Sequence, residues 1–171
     1  MNSIERRNEI FKMLLNSVKP LKGIDLANKL GVTRQVIVRD IAILRAEGRA
    51  IIATPEGYII YNAGDIKITR IIAVNHNKDE LYDEMSTIIK YGGRIEDVIV
   101  EHPLYGEIKS NLLIKNAADL EAFMKSFNGL KAEPLSTLTA GLHLHTISAD
   151  DEETLDRIVE ELKNKNYIIV D

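Results

Sequence analysis

Residues 26–48 read LANKLGVTRQVIVRDIAILRAEG, and the way two apolar stripes are joined in that stretch decides the fold of the N-terminal part. Leu26, Ala27 and Leu30 share one face of a short helix that ends at Gly31, a residue that tolerates the positive φ of a tight helix-to-helix turn. Thr33 is placed to cap the next helix, which Gly48 terminates. On that helix Ile37, Asp40, Ile41 and Leu44 fall on one side, while Gln35, Arg39, Ala42 and Ala46 fall on the other, flanked by Arg34 and Val38. The outer face is polar at its start and small beyond it. Such a face suits a helix entering the DNA major groove, with Thr33, Arg34, Gln35, Val38 and Arg39 turned to the duplex. It suits equally well a solvated helix of a three-helix bundle.

Working outward, Ile4, Ile10, Met13 and Leu14 recur at helical spacing before Pro20 and Gly23 stop that helix. Downstream, AIIATPEGYIIY is two short β-rich segments around Pro55-Glu56-Gly57, a hairpin signal. Three helices and a hairpin make a winged helix-turn-helix over residues 1–62. The run TRQVIVRDIAILR resembles the recognition helix of biotin-operon-type repressors, in which [ST]-R-x-x-[IV]-x-R-D-[IV]-x-x-L-R recurs. The resemblance implies double-stranded operator DNA as a partner.

Charge divides the chain at the same place. Residues 1–61 hold ten Lys/Arg against six Asp/Glu, a balance of +4, and the remainder holds twelve against twenty, a balance of −8. A basic part is drawn to polyanions through counterion release and an acidic part is repelled by them. The chain has no cysteine, so a metal site must rest on imidazole and carboxylate. Its N-terminus carries charge within its apolar pattern and no apolar run reaches about 18 residues, which reads as a cytoplasmic protein without a membrane partner.

A linker is expected at residues 61–67, YNAGDIK. A second domain, residues 66–171, then alternates: strand 66–75, helix 78–91, strands 94–101 and 105–114, helix 116–127, two strands between 131 and 148, helix 151–163 and strand 166–170. That order predicts an α/β (α+β) chain whose second domain is a two-layer sandwich, with helices on one face of a mixed sheet.

GLHLHTIS, residues 141–148, spends two of the chain's four histidines on one strand face. Side chains two apart in a strand stand about 6 to 7 Å apart, so His143 and His145 can converge on one ion. His76 closes the first strand of this domain. Asn77 and Glu80 form a capping-box pattern that gives Glu80 a structural duty at the helix entrance, so Glu84, one turn on, is the preferred fourth ligand, with Glu80 the alternative. Three nitrogens and one carboxylate suit a divalent transition metal ion, Zn, Ni, Fe or Mn, one per chain. The same spacing also fits a half-buried histidine pair hydrogen-bonded to backbone. His102 precedes Pro103, which holds it extended, and Tyr105-Gly106 makes a turn where backbone can approach a small ligand; a plain strand connection reads the same way.

VNHNKDELYDEM, GGRIEDVIVEHPLYGEI and LTAGLHLHTISADDEETLD resemble the three blocks of the three-histidine domain of nicotinate-responsive repressors of NAD metabolism (the NiaR type). The resemblance implies an HPr-like open-faced sandwich, a homodimeric repressor of NAD biosynthesis or niacin uptake genes, and nicotinic acid as effector. It implies metal ligation by His76, Glu84, His143 and His145, and ligand binding around His102, Tyr105 and Gly141. It implies no enzymatic activity. Two other functions fit the residues alone: a regulator that senses the metal itself, and a metal-dependent hydrolase with an appended DNA-binding module, with Glu101 or Glu107 as general base.

Overall fold

In the computed structural model, which describes residues 1–60 and 67–169, α1 (Ser3–Leu15), α2 (Gly23–Leu30) and α3 (Arg34–Ala46) pack around one apolar centre. Asn2 caps α1 with a reciprocal capping box to Glu5, and the Thr33 hydroxyl accepts the Val36 amide at the start of α3. Between α2 and α3, Gly31 takes φ 65° and ψ 36°, the left-handed conformation that the turn requires. Ile10, Leu14, Leu26, Ile37, Ile41 and Leu44 are buried where these helices meet.

Asp40 is buried among these apolar groups at 2% exposure. Its carboxylate accepts the Arg6 Nε–H at 2.6 Å and Nη2–H at 3.3 Å, tying α1 to α3. The hairpin follows as β1 (Ile51–Thr54) and β2 (Gly57–Ile60), in antiparallel register with Thr54 opposite Gly57, so Pro55 and Glu56 make the turn. Tyr58 and Leu21 exchange backbone hydrogen bonds of 2.8 and 2.9 Å, which fastens the hairpin to the segment before α2.

The chain divides into two compact units, Met1–Asp65 and Ile66–Asp171. Of the linker expected at residues 61–67, all but Lys67 lies outside the described residues.

In the second unit the order is β3 (Ile68–Asn75), α4 (Leu81–Lys90), β4 (Arg94–His102), β5 (Gly106–Ile114), α5 (Ala117–Leu130), β6 (Leu142–Ala149) and α6 (Glu152–Asn164). The sheet runs β3-β6-β4-β5. One apolar cluster joins Ile72, Ile95 and Ile147 of the sheet to Ile88 of α4, Leu120 of α5 and Ile158 of α6, giving a layer of helices over one face.

Three details differ from expectation. All pairings in this sheet are antiparallel among the described residues, where the alternation pointed to a mixed sheet. Between 131 and 148 there is one strand, β6, rather than two: Pro134 has no N–H to give a ladder, and Leu135–Thr139 closes instead into a 3₁₀ helix. The strand expected at 166–170 is reduced to an isolated bridge between Ile168 and Val74, with Val170 outside the described residues.

Two irregularities matter for the site. The β4–β5 register shifts between Ile95 and Asp97, where Leu113 sits at φ 50°, and the β4–β6 register shifts between Ile95 and Ile99. Against β5 the extra residue lies in β5, near Leu113; against β6 it lies in β4 between Ile95 and Ile99, a span that contains Asp97. No helix among the described residues is long and apolar enough to cross a membrane.

The Arg6–Asp40 pair sets a stability prediction. Asp40→Ala leaves the Arg6 guanidinium beside an apolar gap and lowers the melting temperature of the first unit in a calorimetric scan, whereas Glu47→Ala, at the exposed end of α3, does not.

Candidate functional site

Strand β6 places His143 and His145 on the helix-facing side of the sheet, in step with the buried Ile147 and Ala149. Opposite, β3 delivers His76 at its end, and the first turns of α4 direct Glu84 inward. All four are buried: His76 at 6%, Glu84 at 0%, His143 at 4% and His145 at 1% exposure. The ligand atoms of His76, Glu84 and His143 lie within 4.8 Å of one another. His145 approaches the other carboxylate oxygen, with Nε2 at 3.2 Å from Glu84 Oε1. Glu80 has the separate duty expected of it, accepting the Asn77 amide at 3.0 Å.

Each imidazole is oriented by a backbone carbonyl. His76 Nδ1 donates to Asn77 O at 2.8 Å, His143 Nδ1 to Gly141 O at 2.8 Å, and His145 Nδ1 to Asp97 O at 2.6 Å. A carbonyl oxygen only accepts, so all three Nδ1 atoms carry hydrogen and each neutral ring presents its Nε2 lone pair inward. His76 Nε2 is 2.5 Å from Glu84 Oε2 and His143 Nε2 is 3.6 Å from the same oxygen. Lone pairs facing a carboxylate repel unless protons or a cation lie between them.

Two atoms at the centre, Glu84 Oε1 and His145 Nε2, are buried with no hydrogen-bond partner. Buried polar atoms are ordinarily satisfied, and ligating histidines commonly donate their other ring nitrogen to a carbonyl. The donor set, its orientation and its unpartnered atoms fit a divalent transition metal ion.

The electrostatics agree. In metal-free protein burial pushes the Glu84 carboxyl up, but the surrounding imidazoles, His145 foremost, outweigh it when they carry the protons shared with the carboxylate, and hold Glu84 well below the usual carboxylate range. Burial pushes His76 and His145 down, and Glu84 overcomes this and raises both above the ordinary imidazole value. Around the centre, Tyr167 packs edge-on to His76 with ring centroids 5.3 Å apart and donates its hydroxyl to Asp83 at 2.7 Å. The Asp97 carboxylate accepts the Thr146 amide at 3.0 Å and pairs with Lys109 at 3.1 Å, bracing the residue whose carbonyl orients His145.

Some residues singled out in the sequence lie elsewhere. His102 Nδ1 accepts the amides of Leu104 and Tyr105 at 3.1 and 3.3 Å, so it shapes the β4–β5 turn, where Tyr105 is 70% exposed. Gly141, by contrast, packs beside His76: a Cβ added there would lie 2.6 Å from the His76 carbonyl oxygen, and its φ is 97°. Sequence spacing points to neither Asp97 nor Tyr167. The one local signal was Asp97 itself, an acid interrupting the apolar run of β4.

In the first unit Thr33, Arg34, Gln35, Val38 and Arg39 are all exposed at the beginning of α3. Between them on the inner side Ile37 and Asp40 are buried, so the outer row faces solvent as the helical spacing requires.

The cluster sets a pH prediction for metal-free protein. Raised imidazoles stabilise the native state below their unfolded value of 6.5, and that contribution is lost as pH rises through their folded values. The depressed Glu84 stabilises above its unfolded value of 4.5, and that is lost as pH falls through its folded value. In chelator, the contribution of the cluster to the melting temperature therefore peaks between the two and declines toward pH 8, and His145→Ala flattens the alkaline decline.

Comparison with known proteins adds to this geometry. The 3H domain family matches residues 69–171 and a helix-turn-helix family matches residues 6–59. The chain is 46% identical over 165 residues to a probable transcription repressor NiaR of Thermotoga maritima, covering 96% of this chain and 94% of that protein. It is 37% identical over 169 residues to the transcription repressor NadR of Bacillus subtilis, covering 97% and 94%.

Proposed function

We propose a function from one premise: the chain belongs to the 3H-domain transcription repressors, with a helix-turn-helix ahead of the 3H domain. It is a DNA-binding repressor of genes of NAD metabolism, and it is not an enzyme. The observation that carries this reading is the row Thr33, Arg34, Gln35, Val38 and Arg39, exposed at the N-terminal end of a helix whose other side is buried. Arg and Gln at that end reach base edges, and Ala42 and Ala46 beyond permit close approach of the helix to the groove.

The effector of this reading is nicotinic acid, bound in the second unit. His76, Glu84, His143 and His145 would hold one divalent transition metal ion, which supplies a fixed positive charge to draw an acidic ligand. The protein's own part is to hold the three rings in one tautomer, to exclude water by burial and to keep Glu84 ionised. A homodimer sets two α3 helices on half-sites about 34 to 36 Å apart, or a multiple, in the cytoplasm. Effector then acts by binding the DNA-competent state more tightly than the other, since a ligand shifts an equilibrium only through differential affinity.

A hydrolase reading finds less support. The carboxylate that meets the imidazoles is Glu84 itself, and Glu101 and Glu107 stand exposed and opposite each other on the β4–β5 hairpin.

Anisotropy titration of an operator duplex tests the proposal. Nicotinate at saturation is expected to tighten binding about tenfold, within the usual range of such coupling. Equal affinity with and without it would end the effector assignment. Chelator dialysis before the same titration separates a resident ion from a signalling one: DNA binding that follows metal alone, whatever the nicotinate, would favour a metal-responsive regulator. Arg34→Ala and Arg39→Ala are each expected to cost about 1 to 3 kcal/mol of operator affinity if they read bases. A phosphate-contacting arginine would instead lower the slope of log affinity against log salt by about 1.

A further inference from the structure

Beside the histidine cluster lies a cavity of about 480 Å³, lined in part by Asn75, His76, Lys78, Glu133, Ser136 and Gly141. This is within the usual range for small-molecule sites. His76 joins the cavity to the buried cluster. Gly141 lines one side of it; a Cβ there would lie 2.6 Å from the His76 carbonyl oxygen, so only glycine lets this turn pack directly against the His76 backbone.

Lys78 is the one cation lining this cavity among the described residues. Its ammonium pairs with Glu133 Oε1 at 3.0 Å, and both side chains are more than half exposed, at 56% and 57%. An exposed ion pair of this kind holds weakly and exchanges partners readily. Glu133 Oε2 also accepts the Thr137 hydroxyl at 3.4 Å, so one carboxylate links Lys78, at the entrance to α4, with the 3₁₀ helix Leu135–Thr139. That 3₁₀ helix packs on β4 and β6, and its Ser136 carbonyl accepts the Gly141 amide at 2.8 Å.

We infer that this cavity is the effector site and that it recognises a small monocarboxylate by exchange: the ligand's carboxylate takes Lys78 and displaces Glu133. The inference rests on the effector reading above and adds the residues that execute it. Glu133 is a built-in competitor that keeps Lys78 neutralised until an anion of the right size arrives. A divalent ion held with one carboxylate leaves the adjoining centre net positive, which favours the same class of ligand. Once freed, Glu133 no longer ties the start of α4 to the 3₁₀ helix, and the segment leading into Gly141 and β6 is released. No bond is made or broken; only ion pairs exchange.

The competitor role gives the two charged residues opposite signs. Calorimetric titration of metal-loaded full-length protein, using nicotinate and the uncharged nicotinamide, is run on the wild type, Lys78→Ala and Glu133→Gln. Loss of a charge-assisted hydrogen bond is expected to weaken nicotinate about 10- to 100-fold in Lys78→Ala and to leave nicotinamide nearly unchanged. Glu133→Gln is expected to tighten nicotinate about two- to fivefold, the effect of removing an exposed competitor. Metal content and melting temperature stay at wild-type values in both, and Lys78→Gln repeats the measurement should Ala disturb the helix entrance. If wild-type protein binds nicotinate but both variants bind it with unchanged affinity, this site is wrong and the effector reading survives. If wild-type protein does not bind nicotinate, both fall together.

Discussion

A fully buried carboxylate facing three inward-turned imidazoles is the constraint around which the second unit is organised. Glu84 has no water to stabilise it, and each neutral ring that meets it offers a lone pair rather than a proton. Removing a charge from water costs several kcal/mol or more unless partners compensate. Compensation here requires a cation or protons at the centre. The neighbouring structure keeps the rings where such a charge would be shared. Three carbonyls hold the Nδ1 atoms, and Tyr167 closes one side against His76.

Those carbonyls come from three kinds of backbone. Asn77 belongs to the cap of a helix entrance, Gly141 to a left-handed turn before β6, and Asp97 to a bulge in β4. None is in a regular ladder with the strand that carries its ring, because a carbonyl already bonded there is poorly placed to accept from a side chain. The irregularities therefore belong to the site. The bulge also leaves the Thr146 amide in need of an acceptor, and the Asp97 carboxylate provides it, so one residue repairs the sheet and orients a ring.

The two units divide the electrostatic labour. Basic residues gather with the helix-turn-helix, and acidic residues dominate the remainder, where α6 carries Glu152 and Glu153 in its first turn under a capping Asp151. An acidic second unit has little attraction for DNA. Within it, Lys78 stands near the buried cluster in an ion pair with Glu133 whose two side chains are both more than half exposed.

The amino-acid order alone determined what depends on local periodicity and local chemistry. The helices of the first unit, the Thr33 cap, the Gly31 turn and the exposed face of α3 all follow from spacing over a few residues. So do the placing of His143 and His145 on one strand face and the capping duty of Glu80 at the entrance to α4. Tertiary structure decided what depends on contacts between distant segments. His145 meets the Asp97 carbonyl 48 positions away, and Lys78 meets Glu133 across 55. The antiparallel order β3-β6-β4-β5, the 3₁₀ helix where two strands were expected to share the segment, and the position of His102 in a turn belong to the same class. The reason is that a one-residue bulge changes which carbonyl faces which ring, and no pattern of period 2 or 3.6 records where a distant strand places its extra residue.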